Sequence, residues 1–271
     1  MNIAILMTVH NRKDITLECI KTLLNCKDFN IYNIDIYMVD DGSTDGTVQC
    51  IHQKYPFVTI INGDGNLFWN RGMHLCWTKA LEKQYDFYIW LNNDTILTTD
   101  ALVSLMDTYK KTNSNAIIVG SICSSKNKNQ VTYGGRIKNK ILSAEGKIQK
   151  VETFNGNLVL IPAKVSNQIG IIDPYFHHSF GDIEYGLRAT KNNIPIYMTP
   201  HYVGYCERHD QTMKCFNTHY KIKERLIFFY SPLGMNPKEF FYLNKKYKGI
   251  FIAIKTYIST HLRVIFPFLW K

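Results

Sequence analysis

Two groups of acidic and amide residues have the types and spacing to bind a polar ligand. Asp40 and Asp41 precede Gly42 and Ser43 in the stretch VDDGSTDGT. A carboxylate at that position could accept hydrogen bonds from the imide N–H or the ribose hydroxyls of a nucleotide. A helix cap followed by a turn would use the same residues, and the sequence alone leaves both interpretations open.

The second group, Asn92, Asn93 and Asp94, follows the apolar stretch FYIWL about 50 residues later. Carboxylate and amide oxygens are the hard ligands that Mg²⁺ or Mn²⁺ prefers. The group is therefore a candidate site for a divalent cation, although NND is also common in turns.

Four strands, each followed by a helix, are predicted to position these groups. The stretches IAILMTV, IDIYMVD, VTIIN and FYIWL begin at Ile3, Ile34, Val58 and Phe87. The first lacks polar alternation, as expected of a strand buried on both faces of a parallel sheet. Serial β-α units predict an α/β fold with a doubly wound, mostly parallel sheet. Ligands bind beyond the carboxyl ends of such strands, where the loops HNR, DDGSTDG, GDGNLFWNRG and NND are expected to meet.

The second half of the chain has a looser pattern. Beyond residue 115, the stretches AIIVGSI, VTYGG and NLVLIP predict added antiparallel strands. After Gly249 a long apolar run contains Lys255, Ser259 and Arg263 at four-residue spacing, and Pro267 interrupts its end. This pattern predicts an amphipathic helix at a membrane surface rather than a transmembrane one.

Composition and charge predict an intracellular protein with a basic C-terminal segment. Seven cysteines without a CxxC pair make a poor disulfide framework, and no secretory signal precedes the first strand. The formal net charge is +10, and residues 220–271 contribute +8 of it. Because those basic residues are mixed with aromatic and apolar ones, they favour an anionic membrane surface over nucleic acid as a partner.

The ordered motifs together resemble family 2 of the GT-A glycosyltransferases. They are an N-terminal strand ending in TVHNR, then VDDGSTDGT, then NND. The stretch GDGNLFWNRGM is similar to one in bacterial rhamnosyl-, galactosyl- or glucosyltransferases of cell-surface polysaccharide. The resemblance covers residues 1–215 and implies a GT-A fold, with a nucleotide-binding part at about 1–115 and an acceptor-binding part at about 116–215. Residues 216–271 are predicted to form a basic, aromatic-rich, helical C-terminal extension.

The resemblance implies a set of residues that bind a nucleotide-sugar donor. Those expected at the base and ribose are Thr8, His10, Arg12, Asp40 and Asp41. Those expected near the diphosphate or the donor sugar are Asn66 and Arg71. A guanidinium also suits phosphate oxygens on physical grounds, although Arg71 could equally be a solvated surface cation.

The resemblance also implies a metal cofactor, Mg²⁺ or Mn²⁺. NND would be the local form of the DxD-type motif of the family, with Asp94 as ligand and Asn92 and Asn93 beside it. His209 matches the late histidine that many members supply as a further ligand. The alternative is a zinc site formed by Cys206, His209 and Cys215. The spacing of these residues suits no standard zinc motif.

The family places an acidic motif, often Glu-Asp, in the acceptor-facing half. In FHHSFGDIEYGLR, Asp182 matches the aspartate, but Gly181 stands where the glutamate is usual. Asp182 is therefore the predicted general base and Glu184 the fallback. The plain alternative is that these carboxylates begin a helix at its positive end, with Arg188 paired to Glu184 at i+4.

Several nearby side chains are left with open roles. His177 and His178 are interpreted as acceptor-loop or packing residues rather than metal ligands. Phe68 and Trp69 could belong to the core or stack on a sugar face, and the sequence does not decide between the two.

The predicted function is inverting, metal-dependent transfer of a sugar from UDP-hexose or dTDP-rhamnose to a glycan or lipid-linked acceptor in surface polysaccharide synthesis. The enzyme is expected in the cytoplasm, peripheral to the cytoplasmic face of the membrane. The alternative uses of its tail are to close the catalytic core or to form a homodimer contact. A sugar-phosphate nucleotidyltransferase and a non-enzymatic membrane-surface or nucleic-acid binding protein are the alternatives. The chain lacks the P-loop and GxGxxG patterns of ATPases and dehydrogenases.

Overall fold

The computed structural model describes residues 1–112, 115–138, 140–208 and 213–270. The first part of the chain alternates strands and helices, as the sequence predicted. Its elements are β1 (Asn2–Val9), α1 (Lys13–Leu24), β2 (Asn33–Asp40), α2 (Thr47–Lys54), β3 (Thr59–Asn62), α3 (Phe68–Ala80), β4 (Phe87–Leu91), β5 (Ile96–Leu97) and α4 (Ala101–Lys111).

The second part adds short strands and ends in helices. Its elements are β6 (Ile117–Cys123), β7 (Val131–Tyr133), β8 (Gly135–Ile137), β9 (Lys140–Ile141), β10 (Gln149–Val151), β11 (Thr153–Phe154), β12 (Leu158–Pro162), α5 (Ala163–Ile169), α6 (Gly181–Lys191), β13 (Ile196–Tyr205), α7 (Ile222–Tyr230), α8 (Pro237–Lys248) and α9 (Ile250–Ile265). Single 3₁₀ turns lie at Phe29–Ile31, Lys214–Phe216 and Pro267–Trp270.

The main sheet has the order β10-β13-β6-β12-β4-β1-β2-β3, with β5 and β7 paired at β13 and β6. Strand β1 runs parallel to β2 and β4, and β2 runs parallel to β3. Strand β12 is antiparallel to both β4 and β6. A small second sheet has the order β11-β8-β9. The predicted combination of a parallel N-terminal sheet with added antiparallel strands is confirmed.

Helices cover both faces of the main sheet. On β1, Ile3 and Ile5 belong to the core layer that includes α1 and α4, whereas Ala4 and Leu6 belong to the layer that includes α3 and α6. Successive strand residues point to opposite faces, so a continuous apolar run serves both layers. Helices on both faces of the sheet give the predicted doubly wound arrangement. The carboxyl ends of the parallel strands then lie at one edge of the sheet.

The C-terminal helices pack on each other and on α6. Cys215, Phe216, Phe229 and Val264 form a small cluster of their own. On α8, Lys246 Nζ donates a hydrogen bond to Glu184 Oε1 of α6 at 2.8 Å. Within the described residues, no helix combines the length and apolar character needed to cross a lipid bilayer.

Candidate active site

A cavity of about 780 Å³ opens at the carboxyl ends of β1, β2 and β4 and extends to the start of α6. In the parallel sheet Val9 lies opposite Asp40, and Leu6 lies opposite Trp90, so the loops that follow these strands converge. The cavity is lined by eight of the residues predicted from sequence, namely Thr8, His10, Arg12, Asp41, Asn92, Asn93, Asp94 and Asp182.

Asp41 holds the glycine-rich loop that borders this cavity. Its Oδ1 accepts hydrogen bonds from the backbone N–H groups of Gly65 at 2.9 Å and Leu67 at 3.2 Å. Its Oδ2 accepts one from the N–H of Phe68 at 2.8 Å. Charge-assisted bonds of this kind are stronger than neutral ones. Asp41 therefore shapes the start of α3, in addition to facing the cavity.

Asp40 does not border the cavity. Its Oδ2 accepts a hydrogen bond from the N–H of Ser43 at 3.0 Å, as the turn interpretation of the sequence predicts. Its Oδ1 is buried and has no hydrogen-bond partner in the described part of the chain. The two neighbouring aspartates thus have different surroundings.

His10 is oriented by two hydrogen bonds. Its Nδ1 lies 2.6 Å from the carbonyl oxygen of Asp41. A carbonyl can only accept, so the proton is assigned to Nδ1. The side-chain amide of Asn11 then donates to His10 Nε2 at 3.1 Å. Both ring nitrogens are therefore engaged within the protein.

Asp94 lies in the cavity wall as part of an ion pair. The Arg12 guanidinium donates a short hydrogen bond to Asp94 Oδ2. The thiol of Cys206 donates to Asp94 Oδ1 at 3.6 Å. Burial and the charge of Asp94 raise the pKa of Cys206, which keeps this thiol protonated.

At this part of the cavity wall, Asp94 offers a carboxylate of the kind that a hard cation prefers. Asn92 Oδ1 already accepts a hydrogen bond from Trp69 Nε1 at 2.8 Å, and the Asn93 amide donates to Thr16 at 2.8 Å. Asp94 is thus the carboxylate available to a metal, and Mg²⁺ commonly uses one or two carboxylates together with substrate phosphates. Among the described residues no cluster of three or more His, Cys, Asp or Glu side chains could hold a metal. His209, the other predicted ligand, lies outside the described residues.

The zinc alternative does not fit the two cysteines that the structure describes. Cys206 packs in the sheet core, whereas Cys215 packs with Phe229 and Val264 in the C-terminal cluster. Burial raises the pKa of both thiols, which opposes the thiolate form that zinc requires.

Asp182 borders the cavity at the first turn of α6. Its two oxygens accept backbone hydrogen bonds from Ile183 at 2.8 Å and Gly156 at 3.0 Å. Burial raises the pKa of Asp182, and these two bonds and the charge of Arg136 oppose that shift. A half-buried carboxylate with a raised pKa is a better proton acceptor than an ordinary surface aspartate.

The family model for glycosyl transferase family 2 matches residues 4–168, which is more than half of the chain. The chain belongs to glycosyl transferase family 2. This match covers the loops after β1, β2 and β4 that border the cavity. No curated protein sequence matches the chain.

Solved structures of S. aureus TarS share the fold. One TarS crystal structure aligns with a TM-score of 0.59 at 11% identity, over 76% of this chain and 36% of that one. The TarS 1–349 structure aligns with a TM-score of 0.59 at 9% identity, over 99% and 72%. TarS 1–349 in complex with UDP aligns with a TM-score of 0.57 at 11% identity, over 76% and 60%. The alignment thus spans about a third of the first of these TarS chains, and the likeness confirms the predicted GT-A fold.

The glycine that replaces the usual family glutamate has a steric cause. A Cβ added at Gly181 would lie 1.6 Å from Asn70 Oδ1. The Asn70 amide is fixed in turn, because it donates to the carbonyl oxygens of Asp173 and Phe176 at 2.8 Å. Asn70 therefore occupies the space that a side chain at 181 would need, and it holds the loop that leads into α6.

Glu184, the fallback base, has a structural environment. It is fully buried and does not border the cavity. It accepts hydrogen bonds from Arg188 at 2.9 Å, Lys246 at 2.8 Å and the Tyr247 hydroxyl at 2.7 Å. The plain i,i+4 pairing with Arg188 is present, and a carboxylate enclosed in this way does not fit the role of general base in this conformation.

Two residues expected near the diphosphate or sugar also lie away from the cavity lining. Asn66 is exposed, and its backbone N–H donates to Asp64 in a local turn at 2.8 Å. Arg71 Nε donates to the carbonyl oxygen of Pro174 at 3.1 Å. The geometry gives Arg71 a part in holding the loop before α6 rather than a place at a phosphate.

Some cavity residues were missed or left open in the sequence. Phe68 and Trp69 both line the cavity. Asn157 lies beside Asn92, because its carbonyl accepts the Asn92 N–H at 2.9 Å where β12 begins against β4. The polar stretch NGN before an apolar run was the available signal. The wall formed by Leu233, Gly234 and Met235 of the C-terminal extension had no such signal.

Proposed function

We propose that this chain transfers a sugar from a nucleoside diphosphate donor to a hydroxyl of a glycan or lipid-linked acceptor, with inversion at the anomeric carbon. The observation that supports this most is the single cavity, which joins the strand-end loops of a family 2 nucleotide site to the Asp182 carboxylate. A donor and an acceptor could therefore meet in one cavity.

The donor is proposed to lie along the strand ends. Thr8, His10 and Asp41 border the part of the cavity proposed for the nucleoside, and Arg12 and Asp94 border the part proposed for the diphosphate. The TarS structure in complex with UDP makes a uridine nucleotide the first donor to test. UDP-hexose and dTDP-rhamnose are the proposed donors.

Asp94 would hold a divalent cation, Mg²⁺ or Mn²⁺, when the donor binds. Such a cation supplies Lewis-acid stabilisation of charge that develops on a leaving diphosphate. In the absence of a donor, Asp94 forms an ion pair with Arg12. The Arg12 guanidinium could donate charge-assisted hydrogen bonds to phosphate oxygens of a donor bound beside it.

Asp182 is proposed to act as the general base. As the acceptor oxygen forms its bond to the anomeric carbon, Asp182 takes the hydroxyl proton, and the bond from that carbon to the phosphate oxygen breaks. The leaving group departs as the nucleoside diphosphate. Attack from the face opposite the leaving group inverts the anomeric carbon, and no covalent intermediate is required.

Helix α9 is proposed to bind an anionic membrane surface near a lipid-linked acceptor. Its apolar residues Phe251, Ile254, Ile258 and Leu262 are exposed, with Phe251 at 85%. Lys255 is also exposed on this helix. Each basic residue near an anionic leaflet contributes roughly 1 kcal/mol. The proposed setting is the cytoplasmic face of a membrane, in surface polysaccharide synthesis.

A panel of nucleotide sugars tests the proposal. The purified chain is incubated with UDP-glucose, UDP-galactose and dTDP-rhamnose, with Mn²⁺, with Mg²⁺ or with EDTA, and release of the nucleoside diphosphate is measured. We expect release from at least one donor in the presence of metal, and loss of that release in the Asp182→Asn variant when an acceptor is supplied. Absence of binding and turnover across the panel would overturn the proposal, and transfer of a nucleotidyl group would favour the nucleotidyltransferase.

A further inference from the structure

His178 borders the cavity on the loop before α6, and its ring makes no hydrogen bond to the described residues. Its ring meets Phe68 edge-on, with 6.4 Å between the centroids. Its Nδ1 is buried, and the described residues provide no hydrogen-bond partner for it. Neighbouring His177 differs, because its Nδ1 donates to the buried Glu239 carboxylate at 2.5 Å. His177 thus has a structural partner, whereas the polar edge of His178 is left for a ligand.

The imidazole of His178 is neutral and can donate one hydrogen bond into the cavity. Burial and the positive charge of Arg12 lower the pKa of His178. A neutral imidazole has one N–H and one bare nitrogen. Orphaned buried N–H groups are rarer than orphaned acceptors, so we assign the bare nitrogen to Nδ1 and the proton to Nε2. Nε2 is then the donor at the accessible edge of the ring.

The position of His178 indicates which part of a substrate it would meet. The positive charge of the Arg12 guanidinium acts on the His178 ring, and Arg12 pairs with Asp94. It precedes Asp182 by four residues at the start of α6. Under the proposed function, the diphosphate lies at the Arg12–Asp94 pair and the acceptor hydroxyl at Asp182. The sugar being transferred lies between them.

We propose that His178 binds a hydroxyl oxygen of the transferred sugar through Nε2–H, an inference that rests on the proposed function. A hydroxyl fits because a single neutral donor is matched by a neutral oxygen acceptor, whereas the charged groups for phosphate are already present in Arg12 and the cation site. His178 is thus a specificity residue for the sugar rather than for the nucleotide.

Calorimetric titration of variants of this chain tests this assignment. The ligands are UDP and dTDP as sugar-free controls, and the nucleotide sugars of the panel that the wild-type chain binds. His178→Phe keeps an aromatic ring and removes the N–H. A neutral hydrogen bond is worth about 0.5–1.5 kcal/mol, so we expect affinity for the nucleotide sugar to fall about 2- to 12-fold, with affinity for the free nucleotide unchanged.

Two further variants separate the hydrogen bond from the shape of the ring. His178→Gln places an amide N–H near the position of Nε2 and is expected to restore most of the lost sugar affinity. His201→Ala, at an exposed histidine on β13, is the matched control and should change neither affinity. If His178→Phe does not fold, His178→Ala takes its place, since it also removes the donor.

The outcomes distinguish this inference from the proposed function. Equal losses for nucleotide and nucleotide sugar would place the contact at the diphosphate and overturn the sugar assignment. Unchanged affinity for both ligands in His178→Phe, or no recovery in His178→Gln, would also overturn it, with the transferase proposal intact. A wild-type chain that binds the free nucleotides but no nucleotide sugar would instead refute the proposed function on which the inference rests.

Discussion

Asp182→Asn is the substitution that tests the proposed base most directly. It keeps the size of the side chain and removes the proton-accepting carboxylate. General-base catalysis typically contributes about 10²- to 10⁴-fold, so kcat should fall by that factor, equivalent to roughly 2.7–5.5 kcal/mol in the barrier. Donor affinity should stay within about twofold of the wild-type value, because the donor contacts assigned here lie on other residues.

The structure also gives the expected cost to folding. The Asp182 carboxylate accepts one backbone N–H from Ile183 and one from Gly156. An asparagine can accept only one of these, and a buried N–H without a partner costs about 1–3 kcal/mol. The wild-type carboxylate has a cost of its own. Burial raises the pKa of Asp182, so ionisation of this carboxylate lowers the stability of the folded protein as pH rises through its folded pKa. Asparagine cannot ionise, and the net change in stability at pH 7 should be small.

The assay therefore compares kcat, donor affinity and melting temperature for Asp182→Asn and a matched control. Glu184→Gln makes the same carboxylate-to-amide change in the same helix, but away from the cavity. It removes a buried partner of Arg188 and Lys246, so it should lower the melting temperature while folded protein keeps most of its kcat. An inactive Glu184→Gln beside an active Asp182→Asn would refute the assignment.

The pH dependence gives a second readout for the same base. The base acts only when ionised, so kcat/KM must fall as pH drops through the pKa of Asp182. Because burial raises that pKa, the acid limb should lie above the value of about 3.9 for a free aspartate. An acid limb at or below that value, measured in protein that remains folded, would contradict the proposed environment.

Three further predictions follow from other parts of the structure. Asp94→Ala should abolish metal-dependent turnover without unfolding the chain, and wild-type activity that persists in saturating EDTA would contradict a metal at this site. Gly181→Ala should lower the melting temperature, by an overpacking cost of about 1–3 kcal/mol against Asn70, and part of that loss should return in the double variant with Asn70→Ala. Phe251→Ser and Lys255→Glu, both at exposed positions on α9, should each weaken salt-sensitive binding to anionic liposomes, and unchanged binding would show that another surface, or none, contacts lipid.

The sheet and the strand-end site could be predicted because local patterns encode them. A continuous apolar run such as residues 3–9 can only be satisfied by burial on both faces, and that requirement places helices on each side. The polar loops after β1, β2 and β4 then have one common edge. Seven predicted residues at these strand ends reached one cavity for this reason, whereas Asn66 and Arg71, which follow β3, did not.

The remaining features depend on contacts between distant parts of the chain. Glu184 and Asp182 are two residues apart and look equivalent as carboxylates in the sequence. Lys246 and Tyr247, about 60 residues later, donate hydrogen bonds to Glu184 and help to enclose it, whereas Asp182 borders the cavity. Similarly, Gly181 is explained by Asn70, which lies more than 100 residues earlier. No local sequence period or motif predicts contacts between residues so far apart in the chain.

These distant contacts make the C-terminal extension part of the site. Helix α8 holds α6 through the pair of Lys246 with Glu184, and α6 carries Asp182. The segment just before α8 supplies Leu233 and Met235 to the cavity wall. Helix α9 follows α8 directly and presents Phe251 to solvent. A surface that binds α9 would therefore lie one helix away from the proposed acceptor side of the cavity, because α8 connects α9 to α6 and to this part of the wall.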